Sequence, residues 1–78
     1  MEKVYSIYKS GSGSYLEQIT NLVKERKSFK LNTTQLESKL VKEAEKVALE
    51  NGYKKEYKKE YMETICFKGF IEYYLYTI

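Results

Sequence analysis

Histidine, aspartate, tryptophan and proline are missing from this 78-residue chain, and cysteine occurs once. Without His or Asp, the Ser-His-Asp and Cys-His arrangements cannot be assembled, nor can a zinc site built on imidazole. The single Cys66 cannot close an internal disulfide, so no covalent staple supports a small core. Flanked by Ile65 and Phe67, it reads as a buried thiol in a reducing compartment. A long apolar run is also lacking. The N-terminal Met1-Glu2-Lys3-Val4-Tyr5 has no apolar stretch of signal-peptide length. The most apolar segment, 61–78, is interrupted by Glu63, Lys68 and Glu72, each costly at the centre of a bilayer. The expectation is a cytoplasmic chain with no membrane span.

Chemistry has little to stand on. The acids are all glutamates beside lysines, a pattern of surface ion pairs worth little each. Gly11 and Gly13 lack the spacing and the following Lys-Ser/Thr of a phosphate loop. We expect no enzyme, no catalytic residue, no metal, no cofactor and no small-molecule substrate.

What the chain does contain is 42% hydrophobic and 32% charged residues, the balance of a folded domain. At this length there is room for one domain with a thin stability margin. The net charge of +3 is mild, and Lys and Glu are interspersed, so nucleic acid is permitted as a partner without being demanded. The Lys/Glu/Tyr/Ile-rich usage carries the compositional flavour of a low-GC bacterium or its phage. No segment carries a nameable family motif.

The sharpest break is Ser10-Gly11-Ser12-Gly13-Ser14, a flexible Gly/Ser tract. An engineered tether and a natural loop fit it equally. It divides an N-terminal segment, 1–9, from a helical domain, 15–78. In the N-terminal segment, Val4, Ile7 and Tyr8 match helical spacing, whereas the β-branched and aromatic content suits a strand. Its helical neighbours tip the reading toward a short helix.

Three helices are expected in the domain. Ser14-Tyr15-Leu16-Glu17 is a capping box. It opens a helix at 15–28 whose stripe is Leu16, Ile19, Leu22 and Val23. Thr34-Gln35-Leu36-Glu37 is a second, opening a helix at 34–51 that stops at Asn51-Gly52. The tandem tetrads Tyr53-Lys-Lys-Glu-Tyr57-Lys-Lys-Glu-Tyr61 would stack their tyrosines on one face of a third helix, 53–77. Phe67, Phe70, Ile71, Tyr74, Leu75 and Ile78 continue at helical spacing and form its expected core side. A hairpin over 61–78 is the alternative that the β-propensity leaves open. The fold class that follows is an all-α three-helix bundle.

The last segment is nearly apolar all round, and a helix of that kind is normally buried on more than one side. Met62, Tyr73 and Tyr76 fall opposite the core stripe and become the expected partner-binding residues. The leading function is thus a small non-catalytic binding or regulatory protein, acting by self-association or contact with a protein partner. The alternative is a nucleic-acid-binding module using two basic groups. These are Lys24, Arg26, Lys27 and Lys30, then Lys54, Lys55, Lys58 and Lys59, with tyrosines interleaved to stack on bases.

Overall fold

The computed structural model describes residues 3–7 and 14–78. Its elements run β1 (Val4–Ser6), α1 (Tyr15–Lys24), β2 (Ser28–Asn32), a 3-10 turn (Gln35–Glu37), α2 (Lys39–Glu50), β3 (Lys54–Glu63) and β4 (Lys68–Thr77). The all-α bundle is therefore corrected to an α/β fold, with two helices on a four-stranded mixed sheet of order β1-β2-β4-β3. The Gly/Ser tract, apart from Ser14, lies outside the described residues, as does Tyr8. No helix among the described residues is long and apolar enough to cross a membrane.

The largest correction is the third helix, which is an antiparallel pair of strands. A repeat of four residues drifts by only about 40° per repeat in a helix. It is also two full periods of a strand, so stacked tyrosines do not discriminate between them. Tyr, Phe, Ile and Thr then favour the strand, whose pleat accepts branched and aromatic side chains. The N-terminal segment is likewise a strand, with Val4, Tyr5 and Ser6 aligned parallel to Ser28, Phe29 and Lys30.

The first helix starts where the sequence places it. Ser14 Oγ accepts from the Glu17 backbone N–H at 3.2 Å. It ends earlier than expected, at Lys24, and Arg26 turns the chain with φ 58°. The expected second helix divides into the 3-10 turn and α2. Thr34 makes no capping bond and instead donates to Asn32 Oδ1 at 2.7 Å. Asn32 Oδ1 also accepts from the Gln35 backbone, and the Asn32 N–H donates to Gln35 Oε1, both at 2.9 Å. Asn32 thus fills the role assigned to Thr34. At the other end, Gly52 stops α2 with φ +87°, a conformation cheap only for glycine.

Both helices pack on one face of the sheet. The core joins Ile19 and Val23 of α1, Val41, Ala44 and Ala48 of α2, and Phe29, Leu31 and Tyr76 of the sheet. Phe29 and Tyr76, facing each other across β2 and β4, stack with ring centroids 4.7 Å apart. Tyr53 closes the base of the core. Its hydroxyl donates to the Lys27 carbonyl at 2.7 Å, and its ring lies 5.6 Å from Phe29.

Candidate protein-contact surface

Strand lengths create the surface. β3 and β4 pair continuously from Lys54↔Thr77 to Glu63↔Lys68, whereas β2 meets β4 only from Phe29↔Tyr76 to Asn32↔Tyr73. Past Tyr73 the hairpin continues with no third strand beside it. At about 3.4 Å per residue, it overhangs the body by roughly 17 Å. We call this overhang, with its turn at residues 64–67, the arm. The turn is closed by the Thr64 N–H donating to the Phe67 carbonyl at 2.6 Å and by the Phe67 N–H donating to Thr64 Oγ1 at 3.0 Å.

Alternation along β3 sorts the tetrads cleanly. Tyr57, Lys59 and Tyr61 share the helix-side face with Phe70, Glu72 and Tyr74 of β4. Lys58, Glu60 and Met62 share the outer face with Ile71 and Tyr73. On the helix side, Tyr61 meets Phe70 edge-on at 5.5 Å, and Tyr57 meets Tyr74 at 5.7 Å. Lys59 Nζ sits 5.0 Å from the centre of the Phe70 ring. Beyond the helices nothing among the described residues covers these rings. Tyr61 is 52% exposed, Phe70 60% and Met62 40%, and Ile65 at the tip is fully exposed.

Two tyrosines, Tyr57 exposed and Tyr73 half-buried, are tied down by carboxylates. The Tyr57 hydroxyl donates to Glu72 Oε1 and the Tyr73 hydroxyl to Glu60 Oε1, both at 2.6 Å. Each bond favours the protonated phenol. Donation to Glu72 therefore holds Tyr57 above its ordinary range, and donation to Glu60, helped by partial burial, pushes Tyr73 up to about 12. The Tyr57 and Tyr73 phenols are thus neutral and oriented across the range where proteins work.

The residues expected to bind a partner do not stay together. Met62 and Tyr73 share the outer face of the hairpin, Met62 exposed and Tyr73 half-buried, with Lys30 Nζ 5.2 Å from the Tyr73 ring centre. Tyr76 is core: it is fully buried on the helix side, where its hydroxyl donates to Glu45. The expectation that it faces solvent is corrected, because a strand sends residues 73 and 76 to opposite faces. Phe70, expected in the core, shares the helix-side face with Tyr76 but is exposed because it lies on the overhang, past the end of β2, and Cys66, expected to be buried, is exposed in the turn. Sequence reasoning missed Tyr61 and Phe70 as surface residues. Period two alone would have grouped them with the buried Tyr53 and Tyr76; their exposure comes from the length by which β3 and β4 outrun β2.

The basic residues are dispersed. Lys24, Arg26 and Lys27 follow one another at the end of α1 and the turn into β2, at the opposite end of the sheet from the arm's tip. Lys30, Lys54 and Lys58 point to the outer face, whereas Lys55 and Lys59 point to the helix side. Two are already partnered: Lys55 Nζ lies 2.7 Å from Glu45 and Lys58 Nζ 3.0 Å from Glu56. A cavity of about 340 Å³ lies beside Ile7, Gln35 and Tyr73. Gln35 within it is satisfied, donating to the Ile7 carbonyl at 2.7 Å. No group of acidic or thiol side chains suited to a metal occurs among the described residues.

No family model, curated protein or solved structure matches the chain.

Proposed function

We infer that this is a small non-catalytic binding protein that works by docking the β3–β4 arm against another protein chain. One observation carries this reading. A two-stranded ribbon cannot bury its own side chains, yet this one exposes Tyr61 and Phe70 side by side on its helix-side face, Met62 on its outer face and Ile65 at its tip. Large apolar side chains exposed together in this way, as Tyr61 and Phe70 are, mark contact sites, and Tyr and Phe are the side chains that interface cores favour. A reducing, cytoplasmic setting is supported by Cys66, an exposed thiol with no second cysteine to pair with. Nucleic-acid binding is the competing reading. It is weakened by Glu56 and Glu60, which alternate with Lys54 and Lys58 on one face and dilute the field.

The double variant Tyr61→Ser/Phe70→Ser tests the docking. Both residues are exposed, so the variant should melt close to wild type. Wild type should associate, read by light scattering or by cross-linking to a partner, and the variant should not. Undiminished association in the variant would overturn the reading. So would tight binding to a labelled oligonucleotide that weakens steeply with salt.

A further inference from the structure

Resting on the contact reading above, we propose that a second copy of this chain pairs antiparallel along the free edge of β3, about a two-fold axis at Tyr57, so that two four-stranded sheets become one. β3 is an outer strand of the sheet, bonded on one side only to β4 among the described residues. Its other side carries the N–H and C=O groups of alternate residues along a ten-residue strand, the template to which a further strand adds.

Lysines commonly blunt such edges, but here they alternate with glutamates. The outer face of β3 reads Lys54, Glu56, Lys58, Glu60. Read backwards, this series is its own complement. With Tyr57 on the axis, Lys58 faces Glu56 of the second copy and Glu60 faces its Lys54, each contact occurring twice by symmetry. Neighbouring registers lose this match. An axis at Lys58 sets Glu56 against Glu60 and Lys58 against itself, and an axis at Glu56 sets Lys54 against Lys58. Axes at Lys55 or Lys59 leave a single opposite-charge contact on this face, Lys54 with Glu56 or Lys58 with Glu60, and put a lysine against itself on the other face. Like charges directly opposite are destabilising, so the tetrad repeat specifies one register.

The helix-side face agrees. Tyr57 meets Tyr57, and Tyr61 comes opposite position 53 of the second copy, whose own tyrosine is turned into the core. Lys55 faces Lys59, but each already has a counterpart: Lys55 is held by Glu45 at 2.7 Å, and Lys59 lies over Phe70 at 5.0 Å. The pairing also lays each arm beside the other copy's α2. Glu45 reaches Lys55 from α2, and exposed Leu49 lies one turn further along the same stripe. Leu49 is thereby available to the incoming Tyr61.

Light scattering across a concentration series tests the edge. Wild type should rise from 9.3 kDa toward twice that mass. Glu56→Lys alone and Lys58→Glu alone should each weaken association by at least about tenfold, because each sets like charges opposite one another. An equimolar mixture of the two variants should recover the doubled mass. One chain then carries carboxylates at both positions and the other carries ammonium groups at both, so every contact across the axis joins opposite charges. Neither chain in the mixture regains its own Lys58–Glu56 ion pair at 3.0 Å, so recovery reads the contact between chains. Circular dichroism of each variant verifies that it is folded. A wild type that stays at single-chain mass overturns the proposal, as do charge variants that associate like wild type. If those variants associate normally while Tyr61→Ser/Phe70→Ser does not, the edge pairing fails and the arm-docking reading stands.

Discussion

The Tyr76 hydroxyl donates to Glu45 Oε2 inside the core, and the same carboxylate oxygen lies 2.7 Å from Lys55 Nζ. One side chain from each of β4, α2 and β3 therefore meets at a single oxygen, pinning α2 over the base of the hairpin. Tyr76→Phe keeps the ring stack on Phe29 and removes only this donor. It should cost about 1.5–3 kcal/mol, the range for a hydrogen bond to a charged group, measured by urea unfolding. A loss below about 0.5 kcal/mol would mean that Lys55 alone satisfies the carboxylate.

The same hydroxyl gives the fold an alkaline limit. Burial, and then the bond to Glu45, raise the Tyr76 ionisation above the ordinary phenol value of 10. A group raised in the folded state stabilises fully below its unfolded value and loses that contribution as pH climbs toward the folded one. Stability should therefore fall as pH rises beyond about 10, and fall less in Tyr76→Phe. Denaturant midpoints for the two proteins, taken at successive alkaline pH values, measure the difference. Parallel curves would remove Tyr76 as the cause.

Turn chemistry separates Asn32 from Thr34. Asn32 accepts two hydrogen bonds through its side chain and donates a third from its backbone, whereas the Thr34 side chain contributes the bond to Asn32 and no cap. Asn32→Ala should cost about 1–2 kcal/mol, as the loss of a capping residue does. Thr34→Ala should stay within about 0.5 kcal/mol. Reversal of that order in urea unfolding would restore Thr34 as the cap.

How far the sequence could be read depended on which periodicity was unique. Ser14 and Gly52 carry local signals that need no knowledge of the fold, and both mark helix ends as expected. The stripe of α2 was legible because Val41, Ala44 and Ala48 fit period 3.6 and not period two. The C-terminal segment was not, since spacings of three, one and four occur in helices while a repeat of four also serves a strand. Its apolarity on every side was the available warning. A helix of that kind needs burial all round, which so short a chain cannot supply, whereas a ribbon divides the same residues between two faces. The candidate surface followed the same error. Of the residues expected to bind a partner, Met62 is exposed, Tyr73 is half-buried and Tyr76 is core, whereas Phe70, expected in the core, is exposed.

Mutation should sort core from arm accordingly. Phe29→Ala removes a fully buried ring and should cost about 3–5 kcal/mol, a large share of what a domain this small has. Phe70→Ser, on the exposed arm, should cost under about 1 kcal/mol. Thermal melts of the two variants side by side check this. Comparable losses would make the arm part of the core.

The measurement that bears most directly on the account is a nuclear Overhauser spectrum of the aromatic protons. The hairpin puts the Tyr61 and Phe70 rings 5.5 Å apart and the Tyr57 and Tyr74 rings 5.7 Å apart. In a continuous helix Tyr61 and Phe70 would be separated by about 13 Å along the axis. Cross-peaks between Tyr61 and Phe70, and between Tyr57 and Tyr74, are the predicted result. Their absence, with sequential helical contacts running from Tyr61 through Tyr76, would contradict the arm and everything built on it.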